Sequence, residues 1–146
     1  MSTAVTTTPA PTTHPRPSLA RVNLMRGGYA LMVVGLALVK WPLLPDAHTL
    51  PLFEGTTLAL LTAMSFLAIL GLRYPVKLLP VLLFETTWKL LWLALVALPT
   101  AINGDMSAAM TEVAVNCTFV VFIIAVTPWR YVWTQYVRTS GDRWRR

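Results

Sequence analysis

Glu85 and Lys89 stand four residues apart in "LLFETTWKLLW", the interior of an apolar run covering residues 78–101. On a helix, positions i and i+4 share one face about 6 Å apart, and Glu on the N-terminal side of Lys is the favourable order. An ionisable side chain at membrane depth costs about 2.5–3.5 kcal/mol on insertion scales, so it must face protein, water or an opposite charge. Two chemistries fit the pair. It is either an intramembrane site, meaning a proton-labile group in a transport path or an anchor for a polar ligand, or a buried clasp that neutralises itself and sets helix packing. Trp88 and Trp92 broaden the same face, since Val81, Glu85, Trp88, Lys89, Trp92 and Val96 follow helical spacing. A tryptophan N–H at this depth needs an acceptor, and the spacing predicts one on a neighbouring helix. Thr86, Thr87, Asn116 and Thr118 supply polar groups at comparable depth. Counted from the opposite end, Asn116 and Lys89 lie about 10 and 14 Å deep, so packing of the third and fourth apolar runs predicts that these two meet.

A second pair of charges borders the membrane. Lys40, in "GLALVKWPLLP", falls near the end of the first run, and its ammonium either extends to the interface or pairs with Glu112 or Glu54 to close that side. Trp41 beside it suits an interfacial aromatic belt. Catalytic signatures are missing: the chain has no G-x-S-x-G, H-E-x-x-H, Walker A or G-x-G-x-x-G. Cys117 is the one cysteine, and His14 and His48 lie outside the apolar runs. No disulfide framework is available, and neither a metal centre nor a haem ligand pair is expected, so the expectation is no catalytic residue and no cofactor.

These residues need elements to position them. The chain has 146 residues, of which 55% are hydrophobic and 12% charged, too few polar side chains to cover a soluble domain of this size. Residues 1–20, rich in Thr and Pro without acids, read as a disordered tail, because prolines 9, 11, 15 and 17 break any amphipathic targeting helix. Four apolar runs follow, at about 27–45, 52–72, 78–101 and 108–129. Each is close to the roughly 20 residues that cross about 30 Å of hydrocarbon. The first run is too long for the apolar core of a signal peptide and no small-x-small site follows it, so it reads as a retained helix. The expected fold is all-α, a four-helix membrane bundle over residues 21–138. In "RYPVK", Pro75 turns the second and third helices into a tight antiparallel hairpin.

Ten of the twelve basic residues lie before the first run, between the second and third, or after the fourth, while Asp46, Glu54, Asp105 and Glu112 lie at the other ends. The positive-inside rule then predicts both termini in the cytoplasm. Trp129, Val132, Trp133, Tyr136 and Val137 recur at helical spacing opposite Arg130, Thr134 and Arg138. Residues 129–138 therefore read as an amphipathic interfacial segment stopped by Gly141, and 139–146 as a basic tail. Arg130, Arg138, Arg143, Arg145 and Arg146 are expected to attract anionic lipid headgroups; the net charge of +6 points to lipid and not to nucleic acid. Docking of a cytosolic partner is the rival reading of that tail. Small residues at Gly28 and Gly35 and at Ala59 and Ala63 mark candidate helix contacts.

At "VGLALVKWPLL", "LRYPVKLLPVLLFETTWKLLWL" and "TPWRYVWTQYV" the chain resembles a family of small, uncharacterised four-span bacterial inner-membrane proteins. The resemblance implies the same fold and location and no activity. Around Gly35 and Lys40 it is similar to DoxX-like membrane proteins, which share four helices and a lysine late in the first. Small multidrug transporters also have four helices and a membrane glutamate, but theirs is in the first helix and Glu85 is in the third. The expected function is a non-enzymatic accessory or scaffold subunit of an inner-membrane assembly, associating with other membrane subunits or with itself. The alternative is an oligomeric small-solute or proton-coupled transporter that uses Glu85 and Lys89.

Overall fold

The computed structural model describes residues 17–139, and among these every regular element is helical. Helix α1 spans Leu19–Lys40, α2 Leu52–Arg73, α3 Leu79–Asn103 and α4 Ala108–Val126. All four are long and apolar enough to cross a membrane. A short α5, Trp129–Val132, runs on into a widened turn over Trp133–Arg138. The bundle therefore has one end carrying Arg21, Arg26, Arg73, Lys77 and Arg130, called here the basic end, and an opposite end carrying Asp46, Glu54 and Asp105.

Helix α1 begins eight residues before the expected start near residue 27. Ser18 is its N-cap, its hydroxyl accepting from the Arg21 amide at 3.4 Å, and arginines sustain a helix beyond the point where hydrophobicity ends. At the other terminus the regular helix stops at Lys40, and Pro42 is taken up in a 3-10 turn over Trp41–Leu43. Pro99 does not end α3. The helix widens to π spacing over Leu93–Ala97 and continues to Asn103, since a proline strips a backbone donor and its ring crowds the preceding turn. Helix α4 stops short of the expected residue 129, because Thr127, the residue before Pro128, is extended at ψ 128°.

Helices α1 and α2 form the most extensive contact. The basic-end half of α4, Val120–Val126, packs on both α1 and α3, whereas Ala108–Thr118 meets α3 at its widened turn. The core follows this asymmetry: Met25, Tyr29, Met32, Met64, Ala68, Leu79, Val81, Leu82 and Ile123 cluster in the basic-end half. Two glycines permit the closest approaches. A Cβ on Gly28 would lie 2.7 Å from Val126 Cγ2, and one on Gly71 would overlap the Tyr29 ring. Of the four small residues expected at helix contacts, only Gly28 is in one. Gly35 has nothing within 4 Å of such a Cβ, and Ala59 and Ala63 are exposed, because α2 turns Leu58, Thr62, Ser65, Ala68 and Gly71 inward.

The basic residues at this end also terminate neighbouring helices. The Arg21 guanidinium donates through Nη2 to the Thr127 carbonyl at 3.0 Å, and Arg26 Nε donates to the Leu72 carbonyl at 3.2 Å. Cations suit helix C-termini, where the last carbonyls lack intrahelical donors. Arg21→Gln is expected to destabilise the bundle by about 1 kcal/mol, the net worth of a partly exposed charged hydrogen bond. Hydrogen exchange read by mass spectrometry should rise around residues 124–128 more than around 70–74.

Candidate functional site

Helix α3 starts at Leu79, with Pro80 in its first turn where no intrahelical donor is needed. Glu85 lies six residues in, about 9 Å along the axis, and is 2% exposed. Both of its carboxylate oxygens are occupied from within the same helix. Lys89 Nζ lies 2.8 Å from Oε1, and Trp88 Nε1 donates to Oε2 at 2.7 Å. The ammonium also sits 5.7 Å from the centre of the Trp88 ring, a cation–π contact that strengthens away from water. Spacings of three and four residues thus close a compact unit of carboxylate, indole and ammonium. Trp88 finds its acceptor on its own helix and not on a neighbour, as the i, i+3 geometry allows.

The threonines offered no partner to this unit because their hydroxyls are used locally. Thr86 donates to the Leu82 carbonyl, Thr87 to Leu83 and Thr118 to Val115, at 2.6–2.8 Å, the usual way a hydroxyl satisfies itself in a helix. Trp92 shares the face and is half-buried, but its indole makes no hydrogen bond among the described residues. The predicted meeting of Lys89 with Asn116 does not occur. Asn116 is exposed, and the α4 residue turned towards α3 at this level is Cys117, 1% exposed and within electrostatic reach of both charges. The difference is one residue, or about 100° of helix rotation.

Lys40 and Glu112 do not pair either. Among the described residues the Glu85–Lys89 contact is the one ion pair. Helix α1 runs beside α2 at this end, so Lys40 shares a cavity of about 370 Å³ with Glu54, Phe53 and Leu58, while Glu112 is exposed on α4. Trp41 is exposed and at the same time tied to α2: its Nε1 donates to Ser65 Oγ at 3.1 Å, and Ser65 donates on to the Thr62 carbonyl at 2.6 Å. Tyr29 is the other feature that sequence reasoning missed. Fully buried, it donates its hydroxyl to the Pro75 carbonyl at 3.0 Å and so ties α1 to the turn between α2 and α3. A tyrosine lying within the first apolar run, where its hydroxyl needs a partner, was the available signal.

At the basic end, Arg130 and Arg138 line a cavity of about 670 Å³ together with Trp129, Val132, Trp133 and Thr134. Tyr74 is flanked by Arg73 and Lys77, each 5.6 Å from its ring centre. Arg143, Arg145, Arg146 and the stop at Gly141 lie outside the described residues. No protein-family model matches the chain, and no curated protein or solved structure is significantly similar to it.

Proposed function

We propose that this protein is a non-enzymatic accessory or scaffold subunit of an assembly in the bacterial inner membrane. The observation that carries this reading is the occupancy of Glu85. Its two oxygens are held by Lys89 and Trp88 of its own helix at 2% exposure. A carboxylate that serves transport must exchange protons or bind a solute, and each would first require the clasp to open, leaving a buried ammonium unpaired. A closed unit of this kind stabilises α3 and shapes the surface it presents, which suits a structural subunit.

The basic end faces the cytoplasm in this reading, supported by the segregation of Arg21, Arg26, Arg73, Lys77, Arg130 and Arg138. Trp129 and Trp133 then rest in the inner interface as the apolar side of an amphipathic segment, and Arg130 and Arg138 receive the phosphates of anionic lipids. Gentle extraction of the tagged chain from its native membrane, followed by native mass spectrometry, tests the assignment. Reproducible retention of other membrane subunits is the expected result. A chain that carries no other subunit, and whose reconstituted vesicles show a solute or proton flux abolished by Glu85→Gln, would replace this reading with transport.

A further inference from the structure

From the divergence of α1 and α4 we infer that the chain forms a two-fold dimer through the opposite-end half of α4, with Asn116 of each copy hydrogen-bonded to Asn116 of the other.

The register of the two helices leads to this. In the basic-end half they touch: a Cβ on Gly28 would meet Ile123 Cδ1 at 3.8 Å and Val126 more closely still. Seven residues outward on each helix, about 10 Å, the same faces carry Gly35 and Asn116. There the contact has gone. Nothing lies within 4 Å of a Cβ on Gly35, and Asn116 is exposed. The backbone supplies the cause, since α4 is interrupted at Phe119, where ψ is −11°, and beyond that point it packs on the widened turn of α3 instead of on α1. Gly35 and Asn116 are thus both left without a neighbour on these faces.

That amide is misplaced for lipid. Asn116 lies about 12 Å from the start of α4 and about 15 Å from its end, so it sits near the middle of a span. The span threonines bond to their own helices, but the Asn116 side chain makes no hydrogen bond among the described residues. An unsatisfied amide has no water to turn to in hydrocarbon, and asparagines in that position draw helices together. Acyl chains packed against it would leave it unsatisfied. A carboxamide carries both donors and an acceptor, so two related by a two-fold axis form a reciprocal pair of bonds, the oxygen of each accepting one N–H of the other. Exposed Val113 and Phe119 flank it and supply apolar contact. Glu112 is on the same side but only about 6 Å from the start of α4, within reach of interfacial water, so its charge need not enter the contact.

The test uses the purified full chain in bilayer nanodiscs. In a Cys117→Ala background, Asn116→Cys is expected to give a disulfide-linked dimer on mild oxidation. Val121→Cys, turned about 140° round the helix and 63% exposed, is expected to give little. Fluorescence energy transfer between labelled copies should show that Asn116→Leu weakens association about three- to thirtyfold for each of the two symmetry-related hydrogen bonds lost, and so at least about tenfold in all. Asn116→Gln, which keeps the amide, should retain it. Equal cross-linking at both positions, or unchanged association in Asn116→Leu, would overturn the proposal and leave lipid or a different subunit as the occupant. Because these measurements use this chain alone, a monomer would refute the dimer without touching the accessory-subunit reading.

Discussion

Lys89→Met is expected to lower the stability of the folded bundle by about 3–5 kcal/mol, the cost of leaving a buried charge without its partner. Lys89 is the partner of Oε1 at 2.8 Å, and Glu85 is too deeply enclosed for water to replace it. The indole bond to Oε2 would remain but cannot neutralise the carboxylate. Glu85→Gln combined with Lys89→Met should recover most of the loss, because a neutral amide still accepts from Trp88 and an apolar side chain fills the volume of the ammonium stem. Denaturant titration in mixed micelles, followed by tryptophan fluorescence, measures both. Trp88 is a built-in reporter, so the single variant should also change its emission. If Lys89→Met unfolds no more easily than the unaltered protein, the clasp is not structural and the transport reading gains.

A loss of similar size, about 3–5 kcal/mol, is expected for Tyr29→Ala. The ring is fully buried in the core between Met25, Met32, Met64 and Leu79 and lies flat on the one glycine of α2 that can receive it, Gly71. Its removal forfeits that packing and frees the Pro75 carbonyl in the turn between α2 and α3. Tyr29→Phe separates the contributions: it keeps the ring and should cost only about 0.5–1.5 kcal/mol, the net value of one hydrogen bond. Gly71→Ala approaches the same contact from the other side, with about 1–3 kcal/mol for overpacking. A thermal-stability series in detergent that ranks Tyr29→Ala no worse than Tyr29→Phe would show that the ring is not what holds α1 to α2.

Most of the large-scale structure was legible in the chain. Four apolar runs of about 20 residues give four helices, since hydrocarbon forces the backbone to bond within each segment and sets its length. The Glu85–Lys89 pair could also be read directly, because i, i+4 contacts depend only on helical geometry. By the same rule the Trp88 bond to Glu85 was available, but the expectation looked to a neighbouring helix for an acceptor that lay one turn away. Errors concentrate where an answer depends on how one helix is rotated against another. Asn116 was expected to face Lys89, but it is exposed and Cys117 is the buried residue, in a helix apolar on nearly every side and therefore without a pattern to fix its rotation. For Lys40 the sequence left Glu112 on α4 and Glu54 on α2 both open; α1 leans on α2 at that end, and Lys40 shares a cavity with Glu54.

By itself, then, the sequence determined the number and length of the spans, the separation of basic and acidic ends and the self-neutralising charge pair. All of these follow from local hydropathy, local geometry and the thickness of a bilayer. Tertiary structure alone decided that Gly71 receives Tyr29, that Arg21 and Arg26 terminate two other helices, and that α1 and α4 part beyond Phe119 to leave Asn116 exposed. Helices in lipid associate through shape and a few hydrogen bonds without a hydrophobic force to orient them. Their rotation and tilt therefore arise from contacts between residues distant in the chain, which no local pattern records.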